Sequence, residues 1–332
     1  MSKIRPSKGA PYARIMGVGG YRPVRVVPNE VILETIDSSD EWIRSRSGIA
    51  TRHWASAEET VAAMSIEASG KAIANAGISA DQIGGVIVST VSHFKQTPAV
   101  ATEIADKLGT NRAAAFDISA GCAGFGYGLT LAKGMIVEGS AQYVLVIGVE
   151  RLSDLTDLED RATAFLFGDG AGAVVVGPCE EPAIGPTIWG SEGDKSETIK
   201  QTVPWTEYDS STGKFPTITQ EGQAVFRWAV FEMAKVAQQA LDAAGITADD
   251  LDVFIPHQAN MRIIDSMVKT LKLPEHVTVA RDVETTGNTS AASIPLAMER
   301  LLATGQAKSG DTALVIGFGA GLVYAATVVT LP

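Results

Sequence analysis

The sequence predicts an α/β protein built from two duplicated halves, and an internal repeat is the main observation behind this prediction. Two pairs of segments are alike. The first pair is ANAGISADQIGGVIVSTVS from Ala74 and DAAGITADDLDVFIPHQAN from Asp242, and the second pair is AGCAGFGYGLTLAKGMIVEGSAQYVLVIG and TGNTSAASIPLAMERLLATGQAKSGDTALVIG. Matched positions lie 168 (77 to 245), 166 (121 to 287) and 169 (148 to 317) residues apart. Because this spacing hardly drifts, we infer one duplication that spans most of the chain.

The first stretch of each repeat reads as a helix, a turn and a strand. Gly77 and Gly245 stand where a helix C-terminus favours a left-handed residue, and a run rich in Val, Ile or Phe follows. The second stretch reads as a Gly-marked turn, an amphipathic helix and a strand ending in VLVIG or ALVIG. Strands that alternate with helices predict a largely parallel sheet with helices on its faces in each half, and we assign the halves to residues 1–180 and 181–332.

Composition and charge exclude several classes of protein. The chain has 332 residues, 45% of them hydrophobic and 20% charged, which is typical of a globular protein. No run reaches the roughly 18 apolar residues of a membrane span, and the first residues lack the apolar segment of a signal peptide. A net charge of -11 argues against nucleic acid or an anionic membrane as a partner. With two cysteines and no Cys/His cluster, we expect no metal site and a cytoplasmic location.

Three residues with possible chemistry follow predicted strands. Cys122 comes after AAAFDISA and before a helix, His257 follows VFIP, and Asn288 occupies the repeat position that matches Cys122. Ligands in such folds collect at the carboxyl ends of parallel strands. We therefore expect these three side chains, from two halves, to meet in one site.

Each of these residues also has a plainer interpretation, which for His257 is a packed histidine of the core. Helix N-terminal N–H groups lower a thiol pKa, which favours Cys122 as a nucleophile, but a small cysteine also fills a core. Asn288 alone would cap the helix that follows it. Cys179 is the weaker candidate nucleophile, because the carboxylates of GPCEE raise a thiol pKa.

The motifs around these residues resemble those of a known family. Three motifs contain these residues: SAGCAGFGYGL, PHQANMRI and GNTSAASIPLAM. They resemble the motifs of the β-ketoacyl-acyl-carrier-protein synthase III family of the thiolase superfamily, most closely those of its actinobacterial, Streptomyces-type members. The resemblance covers nearly the whole chain, and three further segments support it: SSDEWIRSRSGIATRHW, FGDGAGA and GFGAGL. The Cys/His/Asn set separates this branch from thiolases, with Cys/His/Cys, and elongating synthases, with Cys/His/His. The resemblance implies a thiolase-like fold of five layers, α-β-α-β-α.

The resemblance also implies a mechanism. Cys122 would accept the acyl group of an acyl-CoA primer, and malonyl-acyl-carrier protein would then lose CO2 and condense with it to give a 3-oxoacyl-carrier protein. His257 and Asn288 would stabilise the enolate, and the N–H groups of Cys122 and Ala320 would stabilise the oxyanion. The family often has glycine at position 320, and alanine is tolerated there if its φ is negative. No metal or redox cofactor is implied, and the enzyme would be a homodimer that initiates type II fatty acid synthesis.

Further residues match binding positions of the family. Trp42 would stack on one face of the CoA adenine with Arg161 on the other face, and Arg46 would contact a phosphate. SSDEW also matches a capping box at a helix start, in which case Trp42 would be an ordinary core residue. An acidic carrier protein would dock on a cluster that otherwise reads as a solvated helix face: Arg262, Lys269 and Arg227.

Two positions concern the acyl pocket. Phe318 resembles the aromatic gate beside the cysteine, but it is equally a core phenylalanine. Thr97 stands where members restricted to short primers carry phenylalanine, on a loop that reaches the acyl pocket of a partner subunit. The smaller side chain leaves room, so we expect branched starters such as isobutyryl-CoA to be accepted as well as acetyl-CoA.

Three rival functions stay open at this point. A polyketide-priming relative would share the triad, and the sequence separates it poorly from a fatty acid enzyme. A cysteine hydrolase would use Cys122 and His257 but has no need of Asn288 or of duplicated halves. A non-catalytic acyl-carrier scaffold predicts loss of at least one of the three residues, and all three are present.

Overall fold

Two five-stranded sheets dominate the computed structural model, which describes residues 4–211, 213 and 215–332. The strands are β1 (Tyr12–Tyr21), β2 (Arg25–Pro28), β3 (Thr51–Trp54), β4 (Ile83–Ser89), β5 (Ala114–Ile118), β6 (Tyr143–Arg151), β7 (Asp169–Cys179), β8 (Ile188–Ser191), β9 (Ile199–Gln201), β10 (Ile218–Gln220), β11 (Val253–Pro256), β12 (Thr278–Val279), β13 (Thr312–Gly319) and β14 (Val323–Thr330). The helices are α1 (Asn29–Ile32), α2 (Asp40–Ser47), α3 (Val61–Ala76), α4 (Val100–Leu108), α5 (Gly124–Glu138), α6 (Gly222–Ala244), α7 (Met261–Leu271), α8 (Val283–Thr286) and α9 (Ser293–Ala303).

The two sheets have the same topology. The first has the order β1-β7-β6-β4-β5 and the second, read in the same direction, β8-β14-β13-β11-β12. In the first sheet β5, β4 and β6 are parallel, while β7 is antiparallel to both β6 and β1; the second sheet repeats this pattern. Each sheet is therefore largely parallel with one reversed strand, as the repeat predicts. The predicted division at residues 180 and 181 lies between β7 and β8 and stays a prediction.

Helices cover both faces of each sheet. α3 and α4 pack on the outer face of the first sheet and α6 on that of the second, with α7 against α6. α5 and α9 lie between the sheets and contact strands of both, so their apolar side chains form a shared central core. The layers thus follow the order α-β-α-β-α, and the expected thiolase-like architecture is confirmed.

The repeated turns are built alike. Gly77 ends α3 with φ 67° and Gly245 ends α6 with φ 72°, both in the left-handed region that favours glycine. A short 3₁₀ turn with a capping box at Ser79 or Thr247 then leads into β4 or β11. The helix-turn-strand predictions for both halves are therefore confirmed.

A buried arginine holds together the segments beside the site. Arg52 on β3 is fully buried and donates to the carbonyl oxygens of Val27 and Phe165 and to Oδ1 of Asn29 at 2.7–3.2 Å. Burial lowers the pKa of Arg52 to about 10. These bonds fix the loop after β6 against the segment that leads to α2. Within the described ranges, no helix combines the length and apolar character required to cross a membrane.

Candidate active site

Cys122 lies in a 3₁₀ turn, Gly121–Ala123, between β5 and α5. Gly121 has φ 46°, which favours glycine at the sharp change of direction. The turn between β13 and β14 packs directly on the cysteine, because a Cβ placed on Gly319 would lie 2.9 Å from the Cys122 Sγ. Glycine at position 319 thus lets the second half of the chain approach the thiol of the first half.

His257 follows β11 and is held on two sides. Its backbone N–H donates to the Ile316 carbonyl at 2.7 Å, and its Nδ1 lies 2.7 Å from the Ser293 Oγ at the start of α9. The same Oγ accepts from the Gln258 N–H at 3.4 Å, which leaves the hydroxyl proton to donate to Nδ1. This arrangement favours the tautomer with a proton on Nε2. Burial lowers the pKa of His257 to about 3, so its ring is neutral at physiological pH.

Asn288 is fixed by its own backbone and by a turn. Its N–H donates to the Leu166 carbonyl at 2.8 Å, and its carbonyl accepts from Gly168 at 3.0 Å. Its Oδ1 accepts from the Ser290 N–H at 2.8 Å. Since the side-chain oxygen is engaged and no described residue accepts from Nδ2, the amide group can donate to a ligand.

The three residues line one cavity of about 90 Å³. Cys122 comes from the first half, whereas His257 and Asn288 come from the second. Phe318, 3% exposed, forms a further wall with its ring 5.4 Å from the His257 ring and 6.2 Å from that of Trp228. The structure therefore brings together the set that the repeat predicted.

The direction of the Cys122 pKa shift differs from the sequence prediction. Burial raises the pKa of the Cys122 thiol to about 12; the Ser290 hydroxyl acts to lower it, and the carboxyl of Glu150 raises it further. Desolvation of the thiolate outweighs the lowering by the backbone N–H of Cys122, so the prediction of a net lowering of the pKa is wrong. Formation of the thiolate therefore requires a group that accepts the proton.

The predicted oxyanion donors lie next to one another. A Cβ added to Gly121 would lie 3.4 Å from the Ala320 nitrogen, so the Ala320 amide borders the Cys122 turn. Among the described residues, non-glycine residues with positive φ are Arg112, Lys272 and Ser290. Ala320 is not one of them, and the condition for alanine at this position is met.

A wide pocket of about 740 Å³ adjoins the cavity and shares Asn288 with it. Trp42, half-buried on α2, packs edge-on against Phe165 with ring centroids 5.5 Å apart. The guanidinium carbons of Arg161 and Arg46 lie 4.9 Å and 5.9 Å from the Trp42 ring centroid. An adenine between Trp42 and Arg161 requires about 7 Å, two stacking distances, so Arg161 must move outward to admit it.

Two of the three cations predicted for docking line this pocket, and the third does not. Arg227 and Arg262 are exposed and line it, and the Arg262 guanidinium lies 4.8 Å from the Phe226 ring centroid. Lys269 is exposed in the last turn of α7 but does not line the pocket. In the part of the chain that the structure describes, no carboxylate forms an ion pair with Arg227 or Arg262, so their charge is available to a ligand.

A second wide pocket of about 670 Å³ adjoins the cavity on its other side. The two share Val91, Ile199, Ile218 and Ala320. Residues 95, 96 and 99 of the loop before α4 line this pocket, whereas Thr97 itself is exposed and lines neither void. Three voids thus adjoin in series, with Cys122 in the narrow middle one.

Two residues near the nucleophile were not predicted from the sequence: Ser290, which lines the cavity, and Glu150, whose carboxyl acts on the Cys122 thiol. Glu150 is the penultimate residue of β6 and is fully buried, and Ser290 is 3% exposed with φ 47°. A lone carboxylate at the end of the apolar run VLVIGVE was the available signal.

Among the described residues, no group of three His, Cys, Asp or Glu side chains is placed to hold a metal ion.

The duplicated five-layer fold, with Cys, His and Asn in one cavity between its halves, defines a condensing enzyme of the thiolase-like class. Two family models match the chain: 3-oxoacyl-[acyl-carrier-protein] synthase III over residues 116–193, and the C-terminal region of the same synthase over residues 241–331. A β-ketoacyl-[acyl-carrier-protein] synthase III of Streptomyces glaucescens is 90% identical, with all of both chains covered.

Solved structures agree with this match. The priming β-ketosynthase of the R1128 polyketide biosynthetic pathway is 45% identical with a TM-score of 0.97, covering 100% of this chain and 99% of its own. The 3-oxoacyl-[acyl-carrier-protein] synthase III of Aquifex aeolicus is 38% identical with a TM-score of 0.87, covering 96% and 99%. The chain belongs to the 3-oxoacyl-[acyl-carrier-protein] synthase III family and is an acyltransferase of the condensing type.

Proposed function

We propose that the chain condenses a short acyl-CoA primer with malonyl-acyl-carrier protein, with release of CoA and CO2, as the initiating enzyme of type II fatty acid synthesis. The observation that carries this proposal is the cavity that joins Cys122 to His257 and Asn288. Cys122 attacks the primer thioester, and its own amide with that of Ala320 stabilises the oxyanion. The 90% identical relative from Streptomyces glaucescens supports the same activity.

The second half-reaction uses neutral hydrogen-bond donors. After CoA leaves, the malonyl group enters and loses CO2, which leaves an enolate beside the acylated Cys122. The Nε2–H of His257 and the Nδ2–H of Asn288 donate to the enolate oxygen. The enolate carbon then attacks the acyl carbonyl and forms the carbon–carbon bond. In this scheme the two substrates are sufficient, and no metal or other cofactor takes part.

The wide pocket on the Asn288 side supports the binding of both substrates at one entrance. We propose that Trp42 and Arg161 hold the CoA adenine and that Arg46 contacts a phosphate, because Trp42 and Arg46 line this pocket and the Arg161 guanidinium carbon lies 4.9 Å from the Trp42 ring centroid. The exposed and unpaired cations Arg227 and Arg262, with Lys269 on the same helix as Arg262, attract an acidic carrier protein.

A second copy of the chain is the proposed partner at the opposite pocket. Phe94, Trp205 and Phe215 are each 39–44% exposed and pack together with centroids 5.3–5.4 Å apart, beside the loop that carries Thr97. Such an apolar cluster is typical of an interface. In a homodimer, we propose that Thr97 of the partner closes the far end of the acyl pocket. The proposal also places the enzyme in the cytoplasm.

The function is tested by the order of covalent events in the native protein. We expect intact mass to show a stable acyl adduct after mixing with acetyl-CoA or isobutyryl-CoA, and malonyl-acyl-carrier protein to discharge it. Rapid release of free acid from acyl-CoA alone would instead indicate a hydrolase. Absence of an adduct with every CoA thioester would overturn the proposal.

A polyketide-priming role is the second candidate, because the R1128 priming ketosynthase has nearly the same backbone. The two roles share their chemistry and differ in the carrier protein that delivers the malonyl group. Comparison of discharge by carrier proteins of the two pathways distinguishes them, since the fatty acid carrier protein is the faster partner in our proposal.

The size of residue 97 is expected to set the choice of primer. Thr97→Phe fills part of the acyl pocket of the partner subunit and should lower the isobutyryl-to-acetyl ratio of kcat/KM by about tenfold, the effect of one or two methylene groups. Thr304→Phe, at another exposed threonine outside the three voids, is the matched control and should leave the ratio unchanged. An unchanged ratio in Thr97→Phe would disprove the pocket assignment.

A further inference from the structure

A buried carboxyl group on β6 holds the segment that follows β4. Glu150 is fully buried, and both of its carboxyl oxygens face donors. Its Oε2 accepts from the Ser92 Oγ at 2.6 Å, the Val91 N–H at 3.1 Å and the Thr90 Oγ1 at 3.2 Å. Its Oε1 shares the Val91 N–H at 3.3 Å. The three donor residues are consecutive in the chain, so one side chain fixes the positions of three successive residues.

Two further hydrogen bonds connect the donors to one another and to β6. The Ser92 Oγ accepts from the Arg151 N–H at 2.8 Å and gives its own proton to Glu150. The Thr90 Oγ1 accepts from the Ser92 N–H at 3.2 Å and likewise donates to Glu150. Both hydroxyl groups therefore have a donor and an acceptor, and the carboxylate accepts from both. A buried network that is satisfied in this way favours a single conformation of the segment.

The hydrogen-bond ladder between β4 and β6 ends just before this network. The last residue pair in the ladder is Ser89 with Gly148, and Glu150 follows two residues after Gly148. The Val91 N–H lies beyond the ladder and takes the Glu150 carboxylate as its acceptor. The carboxylate therefore holds the segment after the strand, where the pairing of the two strands no longer does so. A buried carboxylate is costly, which indicates that the position of this segment matters.

The middle residue of the held segment forms part of the wall between two voids. Val91 lines both the cavity of Cys122 and the adjoining pocket of about 670 Å³. It is 36% exposed, whereas its neighbours Thr90 and Ser92 are buried. Three more residues line both voids and form, with Val91, the neck between them: Ile199, Ile218 and Ala320. An acyl group on Cys122 that extends beyond the cavity toward this pocket must pass the neck.

We propose that Glu150 is a positioning residue for primer selection, which acts by holding Val91 at the neck. The inference rests on the proposed function, in which Cys122 carries the acyl group of the primer. The hydrogen bonds of Glu150 keep the Val91 side chain in one place, so the neck has a fixed width. A branched acyl group packs against this wall and depends on it for its orientation. An acetyl group has no branch to pack there and depends on it least.

Replacing the carboxyl group with an amide tests this role in the full-length protein. Glu150→Gln keeps the size of the side chain but replaces one acceptor oxygen with an NH2 group, which faces donors and cannot accept from them. It should lower the isobutyryl-to-acetyl ratio of kcat/KM for acylation of Cys122 about tenfold, the effect of one or two methylene groups in a pocket. Acylation by acetyl-CoA should fall by about threefold at most. Intact mass against time at several acyl-CoA concentrations measures both rates.

A second variant and a matched control accompany this substitution. Ser92→Ala removes the shortest of the bonds and leaves the carboxylate in place, so it should lower the ratio even if Glu150→Gln does not fold. Asp169 is another buried carboxylate with three hydrogen bonds, from the Ala55 N–H and from the N–H and Oγ of Ser153, and it lines neither void. Asp169→Asn should keep the native ratio.

A double-mutant cycle separates positioning of the neck from a general structural effect. Val91→Ala removes the side chain through which Glu150 is proposed to act. In the Val91→Ala background, Glu150→Gln or Ser92→Ala should therefore change the ratio by less than about twofold, although each changes it strongly in the native background. A defect elsewhere in the protein would multiply with the effect of Val91→Ala. Multiplying effects, or an equal fall of the ratio in Asp169→Asn, would overturn the proposal.

The same measurements distinguish failure of this inference from failure of the proposed function. If native protein forms no acyl adduct with any CoA thioester, the proposed function fails, and the positioning role fails with it. If native protein forms the adduct and malonyl-acyl-carrier protein discharges it, while Ser92→Ala and folded Glu150→Gln both keep the native ratio, the positioning role alone fails. A fall of the ratio that disappears in the Val91→Ala background supports both.

Discussion

Replacing Cys122 with serine abolishes the acyl adduct and lowers kcat/KM for condensation on the order of 10⁴-fold. The cavity already raises the pKa of the thiol to about 12 by burial, and a hydroxyl is a far weaker acid than a thiol. The serine oxygen therefore stays protonated in the same surroundings and cannot attack the primer. Intact mass after mixing with acetyl-CoA measures the adduct, and carrier-protein product formation measures the rate.

The second cysteine of the chain provides the control for this substitution. Cys179 ends β7, is partly buried, and donates to the Glu181 carbonyl at 3.0 Å. Burial also raises the pKa of its thiol, with Glu180 and Glu181 adding to the effect as the sequence indicated. Cys179→Ser should keep both the adduct and the rate. An adduct that survives in Cys122→Ser and disappears in Cys179→Ser would refute the assignment of the nucleophile.

Substitution of His257 or Asn288 should stop the second half-reaction and spare the first. His257→Ala removes one donor to the enolate, and Asn288→Asp replaces an N–H donor with a carboxylate oxygen that repels negative charge. Each is expected to lower CO2 release and condensation by about 10²- to 10³-fold, the effect of losing one donor to a developing oxyanion. Acylation of Cys122 should proceed at close to the native rate.

The control is the same asparagine-to-aspartate substitution at a position outside the cavity. Asn75 on α3 donates through its Nδ2 to the Val18 carbonyl at 2.8 Å, away from the cavity. Asn75→Asp should leave CO2 release unchanged. If Asn288→Asp blocked acylation but not decarboxylation of the malonyl group, the division of roles between Cys122 and the other two residues would be wrong.

Much of the fold was predictable because the duplication repeats local signals. Gly77 and Gly245 end equivalent helices in the left-handed conformation, and each marks the start of a strand in the same position of its sheet. The meeting of Cys122, His257 and Asn288 was predictable for the same reason, since each follows a strand end or its repeat equivalent. These are properties of short segments, which a sequence displays directly.

The electrostatics of the site were not predictable in this way. The pKa of Cys122 depends on burial by Gly319 and on the neighbours Ser290 and Glu150, which lie far apart in the sequence. Helix N–H groups are a local feature, and reasoning from them alone gave the wrong direction. Glu150 escaped notice because a single carboxylate at a strand end looks exposed until the neighbouring elements are seen to bury it.

The placement of the two central helices has a consequence for the choice of reaction. α5 begins at Gly124 and α9 at Ser293, and the turns before them, Gly121–Ala123 and Ser290–Ala292, both border the cavity. Each helix start carries about half a positive charge, so two positive ends converge from opposite halves and their fields add. Every anion of the reaction, whether thiolate, tetrahedral oxyanion or enolate, arises where these fields meet. Salt in the medium cannot screen such buried dipoles, so ionic strength should govern the arrival of the carrier protein and leave the bond-forming steps untouched.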